Sequence, residues 1–383
     1  MLNFSINLKN FHKKQSQKKI KKNLKKLLLE NNDILKSLSS KYIDNHNIKK
    51  IKKEIGNNKI RLIGMGGSIL GAQAIYNFLK NKIKKKFIFI NNLEINQRIE
   101  KEKFTNLIIS KSGNTLETIS NVNILIKKKD KNIFITEKKN SYLFNLAQNL
   151  KAEIISHNDY IGGRFSVLSE VGMLPAELMG FNSKNFRRFN DLVKNKKFLN
   201  LLTNNVSSIL YYLKKKKFNS VIINYDNKSN YLFQWYQQLV AESLGKKGKG
   251  ILPIISNMPK DNHSLMQLYL EGQKNNFFTF FYCEDKNSHK LNGKLLHSHK
   301  YLKNISIHEI LLKQKKATEN VFIKKEIPFR SIDLKKRNEK TLGEIFCYFI
   351  LETILLGQAL NVNPYDQPSV ELIKKETKKL FFK

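Results

Sequence analysis

Apolar and polar positions follow each other along this chain in blocks that predict short buried strands separated by amphipathic helices. The strands predicted in the first half cover 59–63, 87–90, 107–109, 132–135 and 152–155. Each is a short and almost purely apolar run, and the intervals between them carry apolar residues at helical spacing. Strands that alternate with helices form a parallel sheet with helices on both faces. The first half is therefore predicted to be an α/β unit.

The same alternation restarts in the second half, after helices predicted from about 183 to 216. The strands predicted there cover 220–223, 250–255, 277–283 and 321–327, with helices at 231–246, 305–316 and 342–356. Lysine-rich amphipathic helices are predicted at 10–30 and in the stretch that leads to residue 53, and one more at the C-terminus. Two like-built α/β halves, around 50–165 and 200–335, summarise the pattern.

The net charge is the unusual feature of the composition, +39 over 383 residues, and it points first to nucleic-acid binding. The lysines are, however, spread over the whole chain in runs such as 127–129 and 214–217. Asn, Ile and Phe are abundant too, and a genome rich in A and T explains all four residue types at once. Arginine, the better reader of bases, is scarce beside lysine. We expect no specific nucleic-acid partner, only weak attraction to polyanions.

The remaining composition excludes several classes of protein. Cys283 and Cys347 form no CxxC pair and have no metal-type spacing to the histidines, so no metal site is expected. The N-terminus lacks the continuous apolar core of a signal peptide. The longest apolar run, near 345–356, is interrupted by Glu352 and is too short to cross a bilayer. A soluble, cytoplasmic protein with no membrane partner is predicted.

Two loops that follow predicted strands carry residue types that bind phosphate. Residues 110–118, S-K-S-G-N-T-L-E-T, place hydroxyl groups and Gly113 where a helix begins and free amide N–H groups suit an anion. Residues 64–71, G-M-G-G-S-I-L-G, are neither a dinucleotide fingerprint nor a Walker A loop, yet they permit close backbone approach to a ligand. An ordinary capped loop and glycines that serve only strand–helix packing are the alternatives. Both loops leave carboxyl ends of parallel strands, so they can share one site.

Three ionisable side chains add candidate chemistry. Arg164 follows two glycines and is one of few arginines in a lysine-rich chain, which favours a need for the planar guanidinium over a structural salt bridge. Glu242 lies among apolar residues near a predicted helix C-terminus, which suits a general base, although a solvated glutamate fits the spacing equally well. His263 is predicted in the first turn of a helix, where the dipole keeps the imidazole neutral for proton exchange.

Six motifs together resemble the glucose-6-phosphate isomerase (phosphoglucose isomerase) family, which is built from two SIS (sugar isomerase) domains. In chain order they are G-M-G-G-S at 64–68, the 110–118 stretch, G-G-R-F-S at 162–166, A-E-S-L-G-K at 241–246, D-N-H-S at 261–264 and D-Q-P-S-V-E-L-I-K at 366–374. The resemblance implies two three-layer αβα SIS domains with parallel sheets, at 50–182 and 183–362. A helical N-terminal extension at 1–49 and a C-terminal active-site loop and helix at 363–383 complete the expected chain.

The resemblance implies reversible conversion of D-glucose 6-phosphate and D-fructose 6-phosphate, a step of glycolysis and gluconeogenesis, through a cis-enediolate and without metal or cofactor. It gives Glu242 the role of the base between C1 and C2, and Arg164 that of stabilising the enediolate charge. It makes His263 and Lys374 the pair that opens the sugar ring. The phosphate and sugar contacts that it implies are Ser110, Lys111, Ser112, Thr115, Gly67, Ser68 and Gln367. The family's histidine comes from the neighbouring subunit, which implies a homodimer with His263 crossing the interface.

Some positions depart from the family. The chain is short, which implies trimmed peripheral helices or loops, and Asn114 stands where many members carry Thr. Two alternatives stay open, a dual phosphoglucose/phosphomannose isomerase and a non-catalytic SIS regulator that binds sugar phosphate. The presence of Glu242, Arg164, His263 and Lys374 together argues against the regulator, because a binding module needs a phosphate cradle and no base.

Overall fold

The computed structural model describes residues 6–9, 11, 17–95, 102–285, 287–296 and 298–382. These residues form two five-stranded sheets. The strands, in chain order, are β1 (Ile6–Lys9), β2 (Lys59–Gly64), β3 (Phe87–Ile90), β4 (Phe104–Ile109), β5 (Lys131–Thr136), β6 (Glu153–Ser156), β7 (Asn219–Asn224), β8 (Leu252–Asn257), β9 (Asn276–Cys283) and β10 (Phe329–Leu334).

The helices between and around the strands mostly match those predicted from apolar spacing. They are α1 (Lys18–Leu29), α2 (Asp33–Ser37), α3 (Ile48–Ile55), α4 (Leu70–Leu79), α5 (Leu116–Leu125), α6 (Tyr142–Asn149), α7 (Glu170–Leu178), α8 (Ser183–Phe186), α9 (Phe189–Val193), α10 (Lys196–Lys214), α11 (Asn230–Leu244), α12 (Met266–Glu271), α13 (Ile307–Lys324), α14 (Glu339–Leu360) and α15 (Pro368–Phe381).

The first sheet has the order β3-β2-β4-β5-β6, and all of its strands are parallel. The chain leaves β2 toward one edge and returns to β4 on the other side of β2, so the strand order reverses between these two strands. Gly64 at the end of β2 is opposite Ile109 at the end of β4. In open parallel sheets the crevice at such a reversal, outside the carboxyl ends, is where ligands bind.

The second sheet has the order β1-β10-β9-β7-β8. Its strands β7 to β10 are parallel, and β1 adds to the edge antiparallel, with Ile6 opposite Leu334. Helix α11 of the second half packs against α4 of the first half and also against α14. This packing brings the C-terminal end of α11 close to the glycine-rich turn after β2.

The α/β class with parallel sheets is confirmed, while several local predictions need correction. The strand predicted at 321–327 is wrong, because α13 runs on to Lys324 and the strand is Phe329–Leu334. The apolar residues there serve a helix face, since Phe322 packs edge-on against Phe278 and Phe280 of the sheet. Short apolar runs do not distinguish helix from strand by themselves.

Two more corrections concern the N-terminal segment. The helix predicted over 10–30 is confirmed from Lys18 to Leu29, but Phe11 and Gln17 are not helical, and residues 10 and 12–16 lie outside the described residues. The extension also contains strand β1, so it is not purely helical. The domain boundaries at residues 49, 182 and 362 stay a prediction.

Helix α14 is long and apolar enough to cross a membrane by length and composition, so the prediction that this run is too short was wrong. Its most apolar window is, however, 89% buried inside the protein. Within it, Glu352 receives two hydrogen bonds from the fully buried Arg330 of β10. A helix whose charged residue is paired inside the fold is a core helix, and it gives no support for a membrane span.

Candidate functional site

The glycine-rich turn after β2 makes a close backbone contact with the segment that carries Arg164. Gly66–Ser68 forms one 3₁₀ turn and Gly163–Leu168 another. A Cβ atom on Gly67 would lie 2.1 Å from the carbonyl carbon of Gly163, a distance that no side chain permits. The alternative, that these glycines serve only strand–helix packing, does not hold for Gly67. Its small size places the two 3₁₀ turns against each other.

The 110–115 loop, between β4 and α5, has the form expected of an anion cradle. Thr115 is the N-cap residue of α5, but its hydroxyl pairs with Ser110 Oγ (3.1 Å) instead of with an amide of the helix. The Thr115 side chain therefore leaves the first amide N–H groups of α5 available to an anion, which argues against an ordinary capped loop. Gly113 has a φ of +65°, and a Cβ there would meet Ser141 Oγ at 2.1 Å.

Two further residues of this loop were predicted to bind phosphate. The ammonium group of Lys111 donates to the carbonyl oxygen of Asp159 (2.7 Å) and lies 3.7 Å from the Glu137 carboxylate. Ser112 Oγ accepts from the amide of Asn114 (3.3 Å). Because β2 and β4 are neighbours, this loop and the glycine-rich turn lie side by side at one edge of the sheet. The predicted sharing of one site by the two loops is consistent with this arrangement.

Arg164 is the centre of the hydrogen-bond network in this crevice, and its side chain is only 2% exposed. Its Nε donates to Ser243 Oγ (2.8 Å), and Nη1 donates to Glu242 (3.1 Å) and to Gln367 (2.7 Å). Nη2 donates to the carbonyl oxygens of residues 364 (2.7 Å) and 366 (3.0 Å). Burial lowers the pKa of Arg164 from its ordinary value, and the Glu242 carboxylate opposes that shift. Only a planar fork of donors reaches partners in three directions.

Glu242 occupies the last turn of α11, and its surroundings differ from the prediction. Its neighbours are polar, because Oε2 accepts from Arg164 and Oε1 accepts from Gln238 Nε2 (2.9 Å). The predicted apolar neighbourhood is therefore wrong. The apolar residues beside Glu242 in the sequence, such as Val240 and Leu244, point to the buried side of α11 instead. The Glu242 side chain stays 29% exposed, so a ligand in the crevice can reach it.

Gln238 is a site residue that the sequence analysis missed. It precedes Glu242 by one helical turn and packs against the glycine-rich turn, where a Cβ on Gly66 would lie 2.8 Å from its Nε2. It thus connects that turn to the carboxylate. The signal in the sequence was the i, i+4 spacing of a glutamine and a glutamate, which places both on one helix face.

The segment after α14 closes the crevice on its third side. Lys246 donates to the carbonyl oxygen of Asn363 and forms an ion pair with Asp366 (2.8 Å), and Lys249 donates to the carbonyl oxygen of Leu360 at the end of α14 (2.8 Å). Gln367 is held by Arg164, as described above. These contacts are consistent with the prediction that the C-terminal loop contributes to the site. The two lysines are more than 100 positions away in the sequence from the residues that they contact.

His263 and Lys374 do not join this cluster. His263 ends a 3₁₀ turn (Lys260–His263) that precedes α12 and is exposed, so its predicted place in the first turn of an α-helix was wrong. Lys374 lies on the exposed face of α15 and pairs with Glu371 (2.6 Å). Over the described ranges, no hydrogen bond or ion pair connects either residue to Arg164 or Glu242.

The described part of the chain contains no group of three or more His, Cys, Asp or Glu side chains that could hold a metal ion. The groups that the crevice does offer are an arginine, a carboxylate, amide and hydroxyl side chains, and a helix N-terminus. Such a set binds an anionic, hydroxyl-rich ligand and can move a proton on it.

Comparison with known proteins places this geometry in context. Residues 11–257 match the family model described as phosphoglucose isomerase. A glucose-6-phosphate isomerase of Methanocaldococcus jannaschii is 33% identical over 363 residues, which cover 87% of this chain and 86% of the relative. A solved structure of a hypothetical protein from Thermus thermophilus shares the fold with a TM-score of 0.83 at 22% identity, covering 95% of this chain and 94% of that one. A glucose-6-phosphate isomerase structure from Chlamydia trachomatis does so with a TM-score of 0.72 at 17% identity, covering 91% and 77%.

Proposed function

The chain belongs to the phosphoglucose isomerase family, and from this premise we propose how its crevice interconverts D-glucose 6-phosphate and D-fructose 6-phosphate. The reaction is an aldose–ketose isomerisation. The observation that carries the proposal is the Arg164–Glu242 pair, which lies in the same crevice as the N-terminus of α5. The amide N–H groups at that N-terminus make no hydrogen bond to the side chain of the N-cap residue, Thr115. A phosphate cradle alone would suit a regulator, but the added carboxylate and arginine suit proton transfer beside a developing negative charge.

The phosphate group is proposed to bind at the start of α5. The amide N–H groups of the first turn and the ammonium group of Lys111 supply positive potential there. The hydroxyl groups of Ser110, Ser112 and Thr115 supply hydrogen bonds. Gly67 and Ser68, next along the sheet edge, then face the sugar carbons, because the two loops are adjacent.

Glu242 is proposed to move the proton between C1 and C2 of the open-chain sugar. One of its oxygens is held by Gln238 and the other by Arg164, so the carboxylate is oriented before the substrate arrives. Removing a proton from carbon places negative charge on the neighbouring oxygens and gives a cis-enediolate. Arg164 is fixed by five hydrogen bonds and would stabilise that charge without a reorganisation of its own.

Ring opening is proposed to need residues that the single chain leaves outside the crevice. His263 is exposed, as expected of a residue offered to a second subunit, and we propose a homodimer in which it reaches the neighbouring crevice. Lys374 lies on α15, whose apolar residues Leu372 and Ile373 are 63% and 70% exposed. Packing of α15 would bring Lys374 toward the crevice, because the helix begins directly after Gln367, which Arg164 holds.

The test is a coupled assay on purified protein. Fructose 6-phosphate is supplied, and glucose 6-phosphate is detected through its dehydrogenase, with Glu242→Gln run in parallel. We expect turnover by the wild-type protein and its loss in the variant, which keeps the shape of the side chain but cannot accept the proton. Sugar-phosphate binding without turnover by the wild-type protein would instead support the regulator. The names of the relatives do not favour that alternative or the dual mannose 6-phosphate activity.

The homodimer is tested separately by mixing two inactive variants, His263→Ala and Glu242→Gln. If His263 serves the partner's crevice, reassociation restores about a quarter of the wild-type activity, because half of the dimers are hybrids and each hybrid has one intact site. If both residues serve the same chain's crevice, mixing restores nothing.

A further inference from the structure

One loop connects the phosphate cradle to Arg164. This loop, residues 157–162, leaves the carboxyl end of β6 and leads into the 3₁₀ turn that carries Arg164. Near its middle, the carbonyl oxygen of Asp159 accepts a hydrogen bond from Lys111 Nζ (2.7 Å). The position of this loop therefore sets the spacing between two positive groups, one at the phosphate end of the site and one at the reacting carbons.

The carboxylate of Glu170 binds the 157–162 loop. Glu170 is the first residue of α7 and is fully buried. The amide N–H of Asn158 donates to Oε1 (3.1 Å), and the hydroxyl of Tyr42 donates to Oε2 (2.9 Å). Both oxygens of the carboxylate are thus engaged. The pKa of Tyr42 is raised far above its ordinary value, first by burial and then by the negative charge of Glu170. Tyr42 therefore remains a hydrogen-bond donor at any pH of interest.

Tyr42 is itself fixed on the opposite side. The guanidinium of Arg187 lies 4.9 Å from the centre of its ring and also binds the carboxylate of Asp44. The Nε group of Arg187 donates to the carbonyl oxygen of Leu168 (3.0 Å), at the end of the turn that carries Arg164. A carboxylate buried without such partners would be strongly destabilising, so the contacts explain how Glu170 is accommodated. They do not explain why a charged residue stands there.

We propose that Glu170, supported by Tyr42, is a positioning residue for the isomerase reaction. Its carboxylate fixes the 157–162 loop so that Lys111 and Arg164 meet the two ends of one sugar phosphate. Glu170 lies outside the crevice and acts only through that loop. The inference rests on the proposed function, because it concerns the geometry of the same site. A displacement of about 1 Å in a group that orients substrate can cost on the order of 100-fold in rate.

The decisive variants are Glu170→Ala, Glu170→Gln and Tyr42→Phe, measured as kcat and KM for fructose 6-phosphate. We expect Glu170→Ala to lose roughly 10- to 100-fold in kcat/KM, with KM raised through Lys111 and kcat lowered through Arg164. Glu170→Gln should restore most of the loss, since its amide oxygen can still accept from Asn158. Tyr42→Phe should show a smaller loss in the same direction, and it serves as the test if Glu170→Ala does not fold.

Glu177→Ala is the matched control. Glu177 is on the same helix, is bound to His46 (2.7 Å) and Ser183 (2.6 Å), and so ties the same N-terminal segment to α7 without touching the 157–162 loop. This variant should lower the melting temperature while leaving kcat and KM within about twofold of wild type. A merely structural role for Glu170 would give that same result.

A double-mutant cycle gives the sharpest readout. If Glu170 acts through Arg164, adding Glu170→Ala to Arg164→Lys should lower kcat much less than it does in the wild-type background. Additive losses in kcat, or Glu170 and Tyr42 variants with kinetics like those of the Glu177 control, would overturn the inference. An inactive wild-type protein would instead refute the proposed function, so the two failures are distinguishable.

Discussion

Replacing Arg164 with lysine keeps the charge and removes the fork, so it separates electrostatic attraction from geometry. The guanidinium donates to partners on three sides: Ser243 on α11, the Glu242 and Gln367 side chains, and the two carbonyl oxygens at 364 and 366. A lysine ammonium presents three donors from one point. It cannot reach all of these partners. We expect the hydrogen bonds to the carbonyl oxygens of residues 364 and 366, which hold the C-terminal loop in place, to be lost first.

The size of the effect follows from these bonds. If two of the five are lost, and a hydrogen bond to a charged group contributes about 1.5–3 kcal/mol, the ground state loses roughly 3–6 kcal/mol before relaxation. Catalysis loses the fixed position of the positive charge beside Glu242, and removal of one such preorganised group typically costs about 100- to 1000-fold in kcat. We therefore predict a fall in kcat of about that size, a smaller change in KM and a lower melting temperature.

The assay is steady-state kinetics in both directions, with thermal unfolding of the same samples. The matched control is Arg61→Lys, which alters another buried arginine, one that donates to Asn106 (3.3 Å) and to the carbonyl oxygen of Leu125 (2.9 Å) in the core of the first sheet. It should lose stability and keep kcat. A kcat of Arg164→Lys within a fewfold of wild type would refute the reasoning, and so would an equal loss of kcat in the control.

Two more predictions follow from the structure. Gly67→Ala should nearly abolish activity and lower stability, because its Cβ would lie 2.1 Å from Gly163. Gly163→Ala is the control and should be tolerated, since its Cβ would meet Gly67 at an ordinary 3.6 Å. Equal kinetics and melting temperatures for the two variants would contradict this prediction. Burial lowers the pKa of His157 from 6.5 to about 4, so the unfolded chain binds the proton more tightly than the folded protein does. The free energy of unfolding should therefore fall as the pH drops from about 6.5 to about 4, by about 3 kcal/mol in total. Urea unfolding should show this loss in the wild-type protein and less of it in His157→Asn; identical pH dependence would count against it.

Most of the fold could be predicted from apolar patterning because buried parallel strands are continuous apolar runs. The strands of the first sheet were found within a few residues, and the two ligand loops followed directly from them. The failure at 321–327 has a physical reason, since Phe322 lies on an apolar helix face that reads like a short strand. Strand β1 was missed because only two of its four residues, Ile6 and Leu8, are buried and apolar, so it does not form the continuous apolar run of the predicted strands.

The site was predicted less completely because its residues are far apart in the sequence. The environment of Glu242 is set by Arg164, which precedes it by 78 positions, so the apolar neighbours of Glu242 in the chain were misleading. Residue types could identify Arg164 and Glu242 as candidates, but their pairing depends on how α11 packs against α4. The support from Tyr42 and Glu170, 128 positions apart, leaves no local pattern at all.

The most direct test of the central claim, that Glu242 transfers a proton through an enediolate, is isomerisation in D₂O followed by proton NMR. We predict that the wild-type protein incorporates deuterium at C2 of glucose 6-phosphate and at C1 of fructose 6-phosphate during equilibration, because a carboxylate that holds the proton between two transfers exchanges it with solvent. Glu242→Gln should abolish both isomerisation and incorporation. Isomerisation with no incorporated deuterium, or incorporation that persists in Glu242→Gln, would contradict the assignment of the base.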